Sequence, residues 1–264
     1  MKKQIIPFCA MLVGGFQYNV MAASITVGYL SGSVGSAEEQ VGNIVAPIVS
    51  NAAAQLNIDI LTSDVLDANF FSSIDVFVFA NAQGSFQYNF GGTNRRNLLD
   101  FVNNGGTAYL GLDRLQDGAA IAADFGFVVS STEYYAIGNV TSTITDLSHP
   151  IASGPFLPAE TFLNSYFGVF AGDAPANGTY LGSNSFGNVL GYRQLGLGEV
   201  YVFTDEAPLF GGPGASAYDN NRLFMNVLVD AGASMVPAPA AAWLFGTGML
   251  TLAATARRRK TGSY

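Results

Sequence analysis

The residues best placed to do chemistry in this sequence are carboxylates. Asp113 follows the apolar run Thr107–Leu112 (TAYLGL), and the pair Asp205-Glu206 follows Glu199–Thr204 (EVYVFT). Both positions fall just past the ends of expected strands, the edge at which open α/β sheets receive ligands. Two acids there have the chemistry to act as acid and base on a glycosidic bond. Asp113 and Asp205 also supply the hard oxygen donors that Ca²⁺ prefers. The bland alternative is that a protein with nineteen carboxylates places some at every edge.

A second set is aromatic. Phe86, Tyr88 and Phe90 alternate with Gln87 and Asn89 between Gly84 and Gly91-Gly92. In an extended conformation the three rings share one side. Rings with amides beside them suit the faces and hydroxyls of sugars, and a loop packed on the domain's own core is the competing reading. The lone histidine, His149 in Ser148-His149-Pro150-Ile151, has no second histidine or nucleophile partner and reads as a structural turn residue. The loop Leu30–Ser36 lacks the Gly-Lys-Ser/Thr ending of a phosphate loop and the glycine spacing of a dinucleotide fingerprint. No cofactor is expected. No Gly-x-Ser-x-Gly elbow follows a strand.

The elements that position these residues alternate. Ser24–Leu30 predicts a strand, and Ser36-Ala37-Glu38-Glu39 has capping-box spacing at the head of a helix to about Gln55. Strands are predicted over Asn57–Leu61 and Asp75–Ala80, with an amphipathic helix over Asn94–Asn103 closed by Asn104-Gly105-Gly106. The strand Thr107–Leu112 precedes a helix around Leu115–Asp124. The segment 128–185, rich in glycine, asparagine and aromatics, carries short strands near Val140–Thr145 and Thr179–Gly182. Gly187–Arg193 and Glu199–Thr204 form a hairpin-like pair before a last helix, Asn220–Ala231. Strand and helix alternating at βαβ spacing predict a single α/β domain, residues 24–232, with a mostly parallel sheet covered on both faces.

The two ends have another composition. Residues 1–23 open with Lys2 and Lys3, run apolar from Ile5 to Phe16, and close on Val20-Met21-Ala22-Ala23, the layout of a secretory signal. The single cysteine, Cys9, lies inside it, so the exported product is expected to hold no disulfide and no thiol nucleophile. Residues 233–264 contain Val236-Pro237-Ala238-Pro239, then seventeen uncharged residues from Ala240 to Ala256, then Arg257-Arg258-Arg259-Lys260. That run sits at the lower edge of a transmembrane helix, with Trp243 near one interface and the cations held on the cytoplasmic side. A plain permanent anchor explains the apolar run and the cations but not the proline lead-in. Setting both ends aside leaves five arginines (Arg95, Arg96, Arg114, Arg193, Arg222) against nineteen carboxylates, a net charge of −14. Such a surface repels nucleic acid and anionic lipid, so no nucleic-acid partner is expected.

The tail resembles the PEP-CTERM sorting signal in its proline motif, single hydrophobic helix and basic cluster. It departs at Ala238, where glutamate is commonest in that family, and keeps the Ala-Ala-x-Trp-Leu-Phe-Gly continuation. The resemblance implies export, then recognition by the membrane protease-transpeptidase exosortase through Val236, Pro237, Pro239, Trp243, Arg257, Arg258, Arg259 and Lys260. It also implies a precursor anchored in the inner membrane of a Gram-negative bacterium that makes exopolysaccharide, and a final place on the cell surface or in the matrix.

The order of segments in residues 24–232 resembles the class I glutamine amidotransferase-like, flavodoxin-like fold. The likeness is carried by Asp75–Ala80, Asn104-Gly105-Gly106 leading into Thr107–Leu112, and Gly198–Phe203 before the helix that contains Asn226. That family places its catalytic cysteine in the turn that is here Leu112-Asp113-Arg114, which has neither Cys nor Ser, so its chemistry does not carry over. The expectation is a non-catalytic binding or structural domain of the envelope or biofilm matrix that engages exopolysaccharide. The alternative is an extracellular carbohydrate-active hydrolase using Asp113 with Asp205 or Glu206.

Overall fold

The computed structural model describes residues 24–30, 36–81, 92–112, 115–134, 139–165, 167–209 and 219–235. The signal region, the loop with Phe86, Tyr88 and Phe90, Asp113, and the whole tail from Val236 onward lie outside the described residues. Among the described residues, no helix is long and apolar enough to cross a membrane.

The first half of the domain runs β1 (Ile25–Leu30), α1 (Ser36–Gln55), β2 (Ile58–Ser63), α2 (Ala68–Phe71), β3 (Val76–Asn81), α3 (Gly92–Asn103), β4 (Thr107–Leu112) and α4 (Leu115–Asp124). The second half is richer in strands. It contains β5 (Val129–Tyr134), β6 (Val140–Ile144), α5 (Pro150–Ser153), β7 (Thr161–Asn164), β8 (Phe167–Phe170), β9 (Gly178–Asn184), β10 (Gly187–Leu195), β11 (Gly198–Phe203) and α6 (Asn220–Met235).

Among these, nine strands form one sheet in the order β2-β1-β3-β4-β11-β10-β9-β6-β7. The strands from β2 through β11 pair in parallel. The strands from β11 through β7 pair antiparallel. The fold is thus mixed α/β, and the expectation of a mostly parallel sheet holds for only one half of it. The physical reason is the length of the connections. Helical crossovers allow the parallel half, whereas short turns such as the one between β10 and β11 impose antiparallel pairing.

Residue type explains the burial. All six residues of β4 are buried, as a nearly polar-free strand between two helical layers requires. The register puts Phe77 of β3 beside Ala108, on the face covered by α2 and α3, where Phe77 meets Phe71 at 5.2 Å between ring centroids. The opposite face carries Tyr109 and Phe203 against Phe224 of α6. Helix α6 buries Leu223, Phe224, Val227 and Leu228 completely, each worth roughly 1.5–3 kcal/mol of transfer free energy. A two-stranded sheet of β5 and β8 adds Phe170, which packs with Phe127 and Tyr180.

The α3–β4 turn is a Schellman motif. Gly106 donates its N–H to the Phe101 carbonyl and Gly105 to that of Val102, and Gly105 takes φ +113°. A Cβ on Gly106 would lie 2.2 Å from the Phe101 ring.

Candidate functional site

Because β1, β3, β4 and β11 are parallel, they all end at one edge. Strand order reverses between β1 and β3, which makes that edge the topological switch point. Asp205 and Glu206 stand there, immediately beyond β11, as the sequence suggests. Their surroundings are not those of an open cleft. Asp205 is 1% exposed and Glu206 6%. One oxygen of Asp205, Oδ1, accepts the Ala207 N–H at 3.0 Å, and the other, Oδ2, accepts the Ser165 N–H. The turn that follows, closed by a 3₁₀ segment Ala207–Leu209, sits against β4. A side chain at Gly111 would meet Leu209 at 2.8 Å and the Glu206 backbone at 3.0 Å. Asp205 therefore ties the end of β11 to the β7–β8 corner through main-chain donors.

The opposite end of β11 holds a cluster that sequence reasoning did not single out. Parallel pairing aligns Glu199 with Thr107 and Tyr201 with Tyr109, and antiparallel pairing aligns Tyr192 with Tyr201. Alternation along β11 then places Glu199, Tyr201 and Phe203 on the face covered by α6. The Thr107 hydroxyl donates to Glu199 Oε1 at 3.4 Å. Tyr192 and Tyr201, 5.2 Å apart between ring centroids, stand beside the carboxyl group. The Glu199 carboxyl is pushed up to about 7, first by burial and then by the negative charge of Asp230 on α6, against the pull of Tyr192, Thr107 and Tyr201. Burial raises Asp230 as well. Tyr192 and Tyr201 are raised by burial first and by Glu199 second.

His149 closes this cluster. Its ring packs edge-on to Tyr192 at 4.5 Å and faces Tyr201 at 6.0 Å. Its Nδ1 accepts the Ile151 N–H at 3.3 Å and so caps α5. Capping needs an unprotonated Nδ1, and burial pushes the imidazole down, against the attraction of Asp146. The turn role read from Ser-His-Pro-Ile agrees with this geometry. The described arginines are engaged away from the cluster: Arg95 with Asp124, Arg96 with Thr93, Arg193 with the carbonyls of Phe125 and Ala176, and Arg222 with Asp219. Among the described residues, no group of three or more His, Cys, Asp or Glu could hold a metal ion. One local signal was available: Glu199 shares its alternation phase with Tyr201 and Phe203 in a strand that reads as buried.

No protein-family model matches the sequence, and no curated protein matches it either. Solved structures do. A cytoplasmic protein of Salmonella typhimurium LT2 superposes with a TM-score of 0.55 at 15% identity, covering 78% of this chain and 99% of that one. A ThuA-like protein of Bacteroides uniformis gives 0.52 at 14%, covering 80% and 93%. The chain shares their fold. A β-galactosidase of Bacillus circulans sp. alkalophilus gives 0.51 at 12%, covering 79% of this chain but only 30% of that enzyme. The common feature is the mixed α/β sheet with helices on its faces, the frame that sets the two ends of β11.

Proposed function

We propose that this protein is an exported surface or matrix component, released from its membrane anchor by exosortase, whose α/β domain binds or scaffolds exopolysaccharide without catalysing its breakdown. The observation that carries the reading is the sequence Val236–Lys260, where a proline motif, an apolar helix-length run and a basic cluster follow one another. The domain reading is amidotransferase-like. Its support is the strand order β2-β1-β3-β4-β11, which is the 2-1-3-4-5 order of flavodoxin-like sheets. The turn after β4 has neither Cys nor Ser, and both oxygens of Asp205 accept main-chain N–H groups, which favours a non-catalytic role over a carboxylate-pair hydrolase. A domain of this fold forms part of a β-galactosidase, so saccharide-handling proteins do use it.

Two measurements test the reading. The intact mass of the protein from the surface fraction of an exosortase-bearing host is expected to lack the apolar run and all four cations, with processing near Pro239. An uncleaved mass overturns the sorting. Polysaccharide from the same host is expected to retain the protein on a column, and replacement of Phe86, Tyr88 and Phe90 by Ala is expected to weaken that retention.

A further inference from the structure

The amino edge of the parallel strands, opposite the switch point, carries a groove of about 410 Å³ between α2, α3 and the lead-ins to β3 and β4. Its volume lies within the range of roughly 300–1,000 Å³ typical of small-molecule sites. The floor is apolar: Phe71 and Phe101, 5.3 Å apart between centroids and inclined at 35°, close it as core residues 4% and 8% exposed. The walls are polar, with Asp75, Asn97, Asp100 and Asn104. Two of these are fixed in place: Asn97 Nδ2 donates to the Leu66 carbonyl at 3.0 Å, and Asp75 Oδ2 accepts the Thr26 N–H at 2.7 Å. Asp100 is exposed at the mouth. Gly105 and Gly106 line the fourth side with backbone, the Phe101 ring lying against Gly106, and the Schellman turn holds that backbone in place.

The chemistry of the lining selects its occupant. Carboxylates and amide oxygens accept hydrogen bonds from hydroxyl groups, and aromatic surface suits the C–H face of a pyranose. Two carboxylates and no arginine stand among the described residues that line the groove, so an anionic ligand is repelled. We propose that this groove is a binding site for a neutral oligosaccharide, distinct from the aromatic loop 86–90 and selective against uronic-acid polymers. The inference rests on the polysaccharide reading above and adds to it a second contact, one that takes neutral sugar.

The test is calorimetric titration of the full chain, in a detergent without a sugar headgroup, with cellohexaose, mannohexaose, β-1,4-galactohexaose and hexagalacturonate. Binding of at least one neutral hexaose and none of hexagalacturonate is expected. Ala68→Trp, which fills the groove from an exposed position, and Asp100→Ala, which removes the acceptor at its mouth, should each weaken that binding at least tenfold while the melting temperature stays near wild type. The triple Ala variant of Phe86, Tyr88 and Phe90 should bind the neutral hexaose as wild type does. Equal binding of hexagalacturonate overturns the groove, and so does a neutral hexaose whose affinity both groove variants leave unchanged. If only the triple variant loses binding, the groove fails and the polysaccharide reading stands. If no hexaose and no host polysaccharide binds, both fail together.

Discussion

Strand β11 ends in a carboxylate on either side, and the two are held in opposite ways. Asp205, past the carboxyl end, is 1% exposed, and its two oxygens accept the Ala207 and Ser165 N–H groups. Glu199, at the amino end, accepts the Thr107 hydroxyl beside the rings of Tyr192 and Tyr201, and its carboxyl is pushed up to about 7 by burial and by Asp230. A second carboxylate nearby disfavours a charged acid, and Glu199 has one in Asp230. The difference teaches that the partners of a buried acid are set by the elements packed against it: main-chain donors at one end of β11, a hydroxyl and a like charge at the other.

The largest effect is expected at the carboxyl end. Asp205→Ala leaves one buried and one part-buried N–H without their acceptor, at about 1–3 kcal/mol for the buried one and less for the other, so a loss of about 2–3 kcal/mol is expected in urea unfolding. A loss below about 1 kcal/mol would mean that both N–H groups find other acceptors, and the contrast between the ends would collapse.

At the other end the sign reverses. Glu199 titrates near 4.5 unfolded and about 7 folded, so the folded state binds the extra proton between those values. Its contribution to stability is therefore fully present below about 4.5 and is lost as pH rises through 7. By linkage the loss is on the order of 3 kcal/mol. Glu199→Gln keeps the shape without the charge and is expected to raise stability at pH 8 by about 2–3 kcal/mol and to remove that falling slope. His149 acts in the opposite sense. Its folded value is lowered, so the stability it provides is present above its unfolded value of 6.5 and is lost as pH falls. Thermal melts of wild type and Glu199→Gln from pH 4.5 to 8 separate the two. A slope that survives in the variant removes Glu199 as its cause.

How much of this was legible in the sequence follows from how local each feature is. β4 is read to the residue at Thr107–Leu112, and β1, β3 and β11 to within a residue or two, because each is a short run of apolar and β-branched residues between turn signals. The α3–β4 turn is read correctly because Asn104-Gly105-Gly106 carries its own conformational demand. Strands β5, β7 and β8 escape. Two of them have four residues, too few to show a period, and their aromatics and serines sit in a segment where polar and apolar residues do not alternate cleanly. The position of Asp205 is legible and its environment is not, since one of its donors, Ser165, is forty residues away. The Glu199 cluster is harder still. It assembles Thr107, His149, Tyr192 and Asp230 from four elements or their lead-ins, and only strand register and the docking of α6 bring them together.

The smallest effect divides the causes acting on Glu199. Asp230 lies on α6 and is only partly buried, so screening limits its influence and Asp230→Asn should change stability at pH 8 by less than about 1 kcal/mol. Its titration should nonetheless move. Asp230 contributes the second largest cause of the raised Glu199 value, so removing the charge is expected to lower the Glu199 midpoint in a carbon-detected NMR titration of its side chain. Burial, the larger cause, remains in this variant, so the midpoint should stay above that of an unfolded glutamate. An unchanged midpoint would assign the whole effect to burial. The two ends of β11 would then differ only in the main-chain donors that Asp205 has and Glu199 lacks. A midpoint that moves down shows instead that α6, the element that leads into the tail, helps to set the charge state of the sheet edge beneath it.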